Sequence, residues 1–167
     1  TAPFRYPDRD KYPSADYHPA SWYYLQYGGT HGMEDMANAI KDSCNIYFYT
    51  MGDRLGIDLI GQYASMFGLG ESTGFELGGY SGRVAGPETS EELGTTWYGG
   101  DLLSAAIGQG NTQVTPLQLA NYIATLVNGG DRYATHILQN VKSSDFSEVI
   151  YEYEPQLLDS VDISREN

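Results

Sequence analysis

The chain has 167 residues, 41% hydrophobic and 19% charged, enough apolar material for one packed domain or a good piece of a larger one. Its 9 basic and 22 acidic residues leave a net charge of −13, which excludes nucleic-acid recognition and docking on anionic lipid, since both need clustered Lys and Arg. A single cysteine, Cys44, excludes an internal disulfide framework, and the chain lacks any apolar run of about 18 residues that could cross a membrane.

The ends, Thr1 without a charged and apolar leader and Asn167 without a stop signal, read as cuts in a longer protein. Residues 1–32 read as loop, because Pro3, Pro7, Pro13 and Pro19 interrupt helix and Gly28-Gly29 closes the segment. Its aromatic cluster, Trp22, Tyr23, Tyr24 and Tyr27, is expected to pack an irregular segment onto a core; stacking on a sugar ring is the alternative. From residue 33 the pattern is helical: Met33, Met36, Ala37, Ile40, Cys44, Phe48 and Met51 recur at spacings of three and four, as on one buried face. Ser43 and Asn45 weaken a helix at its middle, so two helices are predicted, over 36–42 with Asp35 as cap and over 46–54, the latter stopped by Gly56. A third is predicted over 59–67 behind Asp58.

Residues 68–100, rich in glycine and acid, predict at most short strands near Phe75-Glu76-Leu77. Asp101 is expected to cap a helix over 102–107. Thr115-Pro116-Leu117-Gln118 combines a cap, Pro at the first helical position and a capping-box Gln, and predicts a helix over 116–128 ended by Gly129-Gly130. Residues 102–130 carry no charge and are interrupted by Gly108, Gly110, Asn111 and Pro116, which predicts a buried helix pair. Residues 136–141 and 148–153, flanking Lys142-Ser143-Ser144-Asp145, predict a β-hairpin.

Single residues give little chemistry. His18, His31 and His136 lack ligand spacing, so no metal site is expected, and no glycine pattern supports nucleotide binding; no cofactor is predicted. Ser43-Cys44-Asn45 alone is a polar helix junction in a chain with 13 Ser and 7 Asn.

Context gives the triplet weight. His31-Gly32, Ala39-Ile40, Ser43-Cys44-Asn45-Ile46-Tyr47-Phe48-Tyr49 and Gly52 resemble the stretch around the second active-site motif of penicillin-binding proteins. The resemblance continues, in order, at Leu55-Gly56-Ile57, Phe67-Gly68-Leu69-Gly70, Thr73-Gly74-Phe75-Glu76-Leu77, Ala106-Ile107-Gly108-Gln109-Gly110, Val114-Thr115-Pro116-Leu117-Gln118 and Asn128-Gly129-Gly130. Trp97-Tyr98-Gly99-Gly100-Asp101 is similar to the class B, cell-elongation transpeptidases. Of the family's three motifs only the second is in this chain. No serine has a lysine three residues on, and none of Lys11, Lys41 and Lys142 precedes Thr-Gly, so the nucleophile and its lysine base are absent.

The resemblance implies roles. Ser43 would relay a proton, and Asn45 would hold the catalytic lysine and the substrate amide together with its carboxamide. Gln109 and Gly110 would lie near the site, and Cys44 would point to the core. The implied fold is mainly α with a small β-hairpin, the helical subdomain of the serine acyltransferase fold, in three stretches: 1–32 irregular and aromatic-rich, 33–131 helical, 132–167 hairpin and tail. The implied parent is a peptidoglycan D,D-transpeptidase that crosslinks stem peptides through an acyl-serine and binds β-lactams, with the isolated chain inactive. Its implied place is the extracytoplasmic face of the membrane, beside the cell-wall elongation machinery, held by an anchor outside this segment. The alternatives are a β-lactam sensor domain and a non-catalytic glycan- or peptide-binding module.

Overall fold

The computed structural model describes Phe4 and residues 18–164. Its helices are α1 (Trp22–Tyr27), α2 (Met36–Lys41), α3 (Asn45–Leu55), α4 (Ile57–Met66), α5 (Pro87–Glu92), α6 (Gly99–Ala106) and α7 (Pro116–Val127). Its strands are β1 (Asp131–Tyr133), β2 (Asn140–Lys142), β3 (Val149–Glu152) and β4 (Leu157–Ser160). Two compact units divide the chain: Thr1–Gly61 with Ala85–Thr112, and Gln62–Val84 with Gln113–Asn167.

In the first unit α3 packs along α6, and α2 packs on α3. Phe4, Tyr49 and Leu103 form the buried cluster, with Ile46 and Ile107 against it. The Phe4 and Tyr49 rings meet edge-on at 5.8 Å, a geometry favoured by the ring quadrupoles. Gly52 lets the two helices approach, because a Cβ there would collide with that of Ala106.

The predicted core face of the 33–51 stretch is corrected here. Met33, Met36, Ala37 and Ile40 are exposed, whereas Ala39, Cys44, Tyr49 and Gly52 are buried. A tight turn between α2 and α3 breaks the helical phase, so a stripe that is continuous in sequence does not continue on one side of the structure.

The loop expected over 1–32 contains α1. Ser21 caps it, its hydroxyl accepting from the Tyr24 N–H, and Gly28 stops it with a φ of 66°. Pro19 precedes the cap and so does not interrupt; Pro3, Pro7 and Pro13 lie outside the described residues. Asp58 lies inside the first turn of α4 rather than before it. The helix expected over 102–107 starts earlier, at Gly99. Asp101 sits in its first turn and accepts from the Tyr98 N–H at 2.7 Å, serving the cap from inside. Phe75-Glu76-Leu77 forms no strand. The Glu76 carboxylate instead accepts from the N–H groups of Ile137 and Leu138 at 2.8 and 2.7 Å, which lowers its pKa.

In the second unit α7 begins as predicted, with a reciprocal capping box between Thr115 and Gln118. Gln118 is 1% exposed, and its amide also reaches the carbonyls of Gly68, Glu71 and Ser81 at 3.3, 2.8 and 2.5 Å. One side chain thereby satisfies backbone groups of a loop that forms no ladder of its own. The prediction of a buried apolar helix fails for α7. Its buried residues are Gln118, Asn121 and Thr125, while Leu119, Ile123, Leu126 and Val127 are exposed. Asn121 donates to the Tyr133 carbonyl at 2.8 Å, so hydrogen bonds to loops and to β1 orient the helix. In α6 the apolar reading stands, with Leu102 and Leu103 buried.

The predicted hairpin is β2–β3, antiparallel with Val141 opposite Tyr151. A second antiparallel pair, β1–β4, with Arg132 opposite Asp159, adds to the single hairpin expected. The architecture is helix-rich with two small two-stranded sheets.

Candidate active site

The Ser43–Asn45 triplet forms the turn between α2 and α3. Asp42 ends α2, the Ser43 N–H donates to the Ile40 carbonyl at 3.2 Å, and the Cys44 N–H donates to the Ala39 carbonyl at 2.9 Å. These two bonds make a Schellman motif, in which the residue after the C-cap must take the left-handed conformation. That residue is Ser43, with a φ of 51°. A side chain there clashes with its own backbone and costs about 1–2 kcal/mol relative to glycine.

Cys44 follows as N-cap of α3 and makes no side-chain cap bond. Cys44 and Ala39, the two ends of the longer turn bond, are both buried. Asn45 is the first residue of α3 and is half-buried. The Ser43 hydroxyl is exposed, and among the described residues neither it nor the Asn45 carboxamide makes a hydrogen bond. The backbone bonds hold the turn without help from either polar side chain.

Gln109 and Gly110 lie beyond the end of α6, where the chain makes the same turn. The Gly108 N–H donates to Ala105 and the Gln109 N–H to Ser104, both at 2.9 Å, with Gly108 in the left-handed position at 73°. Gly110 folds back over Ser104. Ala106 meets α3 at Gly52, about two turns from Asn45, and no hydrogen bond joins Gln109 or Gly110 to the triplet among the described residues. Ser43 and Asn45 are brought together in one turn, and Gln109 and Gly110 follow α6 in the same unit.

Two features were not read from the sequence. A cavity of about 350 Å³ lies beside α3, lined by Cys44, Tyr47, Met51 and Arg54 and by the 30–34 segment. The spacing of Tyr47, Met51 and Arg54 marks one helical face and was the available signal. The second is the Trp22 indole, whose N–H donates to the Asp42 carbonyl at 3.1 Å and ties α1 to the residue preceding Ser43.

The model of the penicillin binding protein transpeptidase domain matches residues 4–167. The peptidoglycan D,D-transpeptidase MrdA of Salmonella typhimurium is 36% identical over 115 residues, covering 68% of this chain and 18% of that protein. Among solved structures, the complex of a penicillin-binding protein, PBP2, with MreC from Helicobacter pylori is similar with a TM-score of 0.64 and 28% identity, over 72% of this chain and 22% of that one. A peptidoglycan synthase complex described as coordinating polymerization and crosslinking is similar with a TM-score of 0.61 and 32% identity, over 75% of this chain and 21% of that one. The chain spans about a fifth of the length of the relatives it matches.

Proposed function

The chain belongs to the penicillin-binding protein transpeptidase domain family, and from that premise we propose that it forms part of a class B, elongation-type peptidoglycan D,D-transpeptidase. The reaction is cleavage of a D-alanyl-D-alanine bond through an acyl-serine, followed by attack of an amine from a neighbouring stem peptide. β-Lactams acylate the same serine. The nucleophile and its lysine are supplied from outside these 167 residues, which contain neither Ser-x-x-Lys nor Lys-Thr-Gly.

The observation that carries the reading is the exposed Ser43 hydroxyl, held at a backbone position that favours glycine and not used in any bond of the turn. A serine hydroxyl free to donate and accept can pass a proton between a lysine and a leaving amine. The Asn45 carboxamide, fixed at the first turn of α3, offers a donor and an acceptor to orient the lysine and the substrate amide. Gln109 and Gly110 shape the neighbouring wall of the unit. The enzyme works at the extracytoplasmic face of the membrane, with cell-wall assembly proteins as partners; the MreC complex of the similar Helicobacter protein supports this. Relatives named as transpeptidases favour crosslinking over β-lactam sensing.

The test is the second-order rate of acylation by a fluorescent penicillin in the full-length enzyme that carries this segment. Ser43→Ala and Asn45→Ala each slow acylation at least tenfold, a floor set below the roughly 10²- to 10⁴-fold that proton-transfer assistance contributes, and leave the melting temperature nearly unchanged. Parent-like acylation with a lowered melting temperature would reduce both residues to parts of a turn. The 167-residue chain alone acquires no covalent label.

A further inference from the structure

α1 has four aromatic residues in six and buries none of them. Trp22 is 43% exposed and Tyr27 62% exposed, and the expectation that this cluster packs a segment onto the core is therefore corrected. The rings are nevertheless held. Trp22 lies 5.6 Å from Tyr23 and 6.3 Å from Tyr27, both edge-on, and His31 closes the group at 4.7 Å from Tyr23. The indole bond to the Asp42 carbonyl fixes the platform one residue from Ser43. His31 also lines the 350 Å³ cavity, together with Thr30, Met33, Glu34, Met51 and Arg54. Fixed exposed rings thus adjoin a recess of small-ligand size that mixes apolar surface with a few polar groups.

We propose that this aromatic platform and its adjoining cavity bind the neutral amino-sugar strand of the glycan, steering the attached stem peptide toward Ser43. A pyranose ring presents a face of axial C–H groups, apolar and slightly positive, which complements the negative face of an aromatic ring. Thr30, His31, Glu34 and Arg54 supply partners for hydroxyl and N-acetyl groups. Local charge suits an uncharged ligand: Lys41 lies 3.6 Å from the Asp42 carboxylate, and Arg54 faces the same cavity as Glu34. The inference rests on the transpeptidase reading for its substrate, but not on the chemistry of Ser43.

The experiment follows Trp22 emission in this chain with Trp97→Phe, which leaves Trp22 as the sole tryptophan. The probes are a peptide-free N-acetylglucosamine tetrasaccharide and, separately, diacetyl-lysyl-D-alanyl-D-alanine. The saccharide produces a saturable change and the peptide does not. Tyr27→Ala weakens saccharide binding about tenfold, the loss expected for one ring contact. Leu25→Ala, on the same helix and 75% exposed, leaves it unchanged, as does Ser43→Ala. No saturable response, an undiminished Tyr27→Ala variant, or a response to the peptide alone overturns the proposal. So does equal sensitivity to Leu25→Ala, the mark of an apolar protein contact. If Ser43→Ala slows acylation while the saccharide fails to bind, the platform is refuted and the transpeptidase reading stands. If the saccharide binds while Ser43→Ala acylates normally, the reverse holds.

Discussion

The chain turns in the same way at the ends of α2 and α6, yet the two turns are built from different residues. At α6 the left-handed position is Gly108; at α2 it is Ser43, which pays for a side chain that the turn does not use. The remaining bonds of the two turns are equivalent: each has one N–H reaching back three residues and the next reaching back five. At α6 glycine changes direction without strain, whereas at α2 the exposed Ser43 keeps the strain, as Phe146 does in the β2–β3 connection with a φ of 59°.

Exchanging the two residues breaks or sharpens this contrast. The largest effect is expected from Ser43→Gly in the full-length enzyme. Acylation by β-lactam falls by about 10²-fold or more with loss of the relay, while the melting temperature rises, since relief of the left-handed strain outweighs the added chain entropy by about 0.5–1 kcal/mol. A variant that is both more active and more stable would refute the functional reading of the strain. The reciprocal change, Gly108→Ser in this chain, installs the strain without the function. It should lower stability by about 1–2 kcal/mol in denaturant unfolding, with no Cβ clash to add to the cost because nothing lies within 4 Å of the position.

The smallest effect concerns a turn in which side-chain bonds add to the backbone ones, where Phe146 takes a φ of 59° and its N–H donates to the Ser143 carbonyl at 2.9 Å. At the β2–β3 connection the Asp145 carboxylate accepts from the Ser143 hydroxyl and from the hydroxyl and N–H of Ser147. Those bonds, Ser143 first, pull its pKa from the ordinary 3.8 down to about 2. A depressed pKa contributes stability that is present above 3.8 and is lost as pH falls through about 2. Carboxyl-carbon NMR should place the midpoint near 2 in the parent chain and higher in Ser143→Ala; an unshifted midpoint in the parent would show that the turn is not held this way.

What could be read locally was read well. Thr115, Pro116 and Gln118 announce α7 because their capping bonds close within four residues, and the hairpin is signalled by the polar run 142–145, although Lys142 belongs to β2 and the connection extends to 148. The break at Ser43–Asn45 was legible because Ser and Asn compete for helix backbone bonds. α5 was missed in an acidic, glycine-rich stretch, although Gly86 precedes Pro87 at its first position. The β1–β4 pair was missed because each strand is three or four residues long and its partner lies across the hairpin.

The sequence by itself determined the family, the helix boundaries set by caps and glycines, and the identity of the Ser43-Cys44-Asn45 triplet, because those depend on residue order and on bonds spanning a few positions. Which faces are buried was decided only by the tertiary structure. The phase of α2 does not carry into α3 across a left-handed residue, and α7 turns Gln118 and Asn121 inward because distant loop and strand carbonyls require donors, while the buried Thr125 donates to the Asn121 carbonyl of its own helix. The same holds for the aromatic cluster of α1, whose Trp22 ring is held by an indole bond to the Asp42 carbonyl, twenty residues away along the chain. Residue type fixes what a side chain can donate, accept or stack on; which partner it meets depends on contacts that chain order does not encode locally.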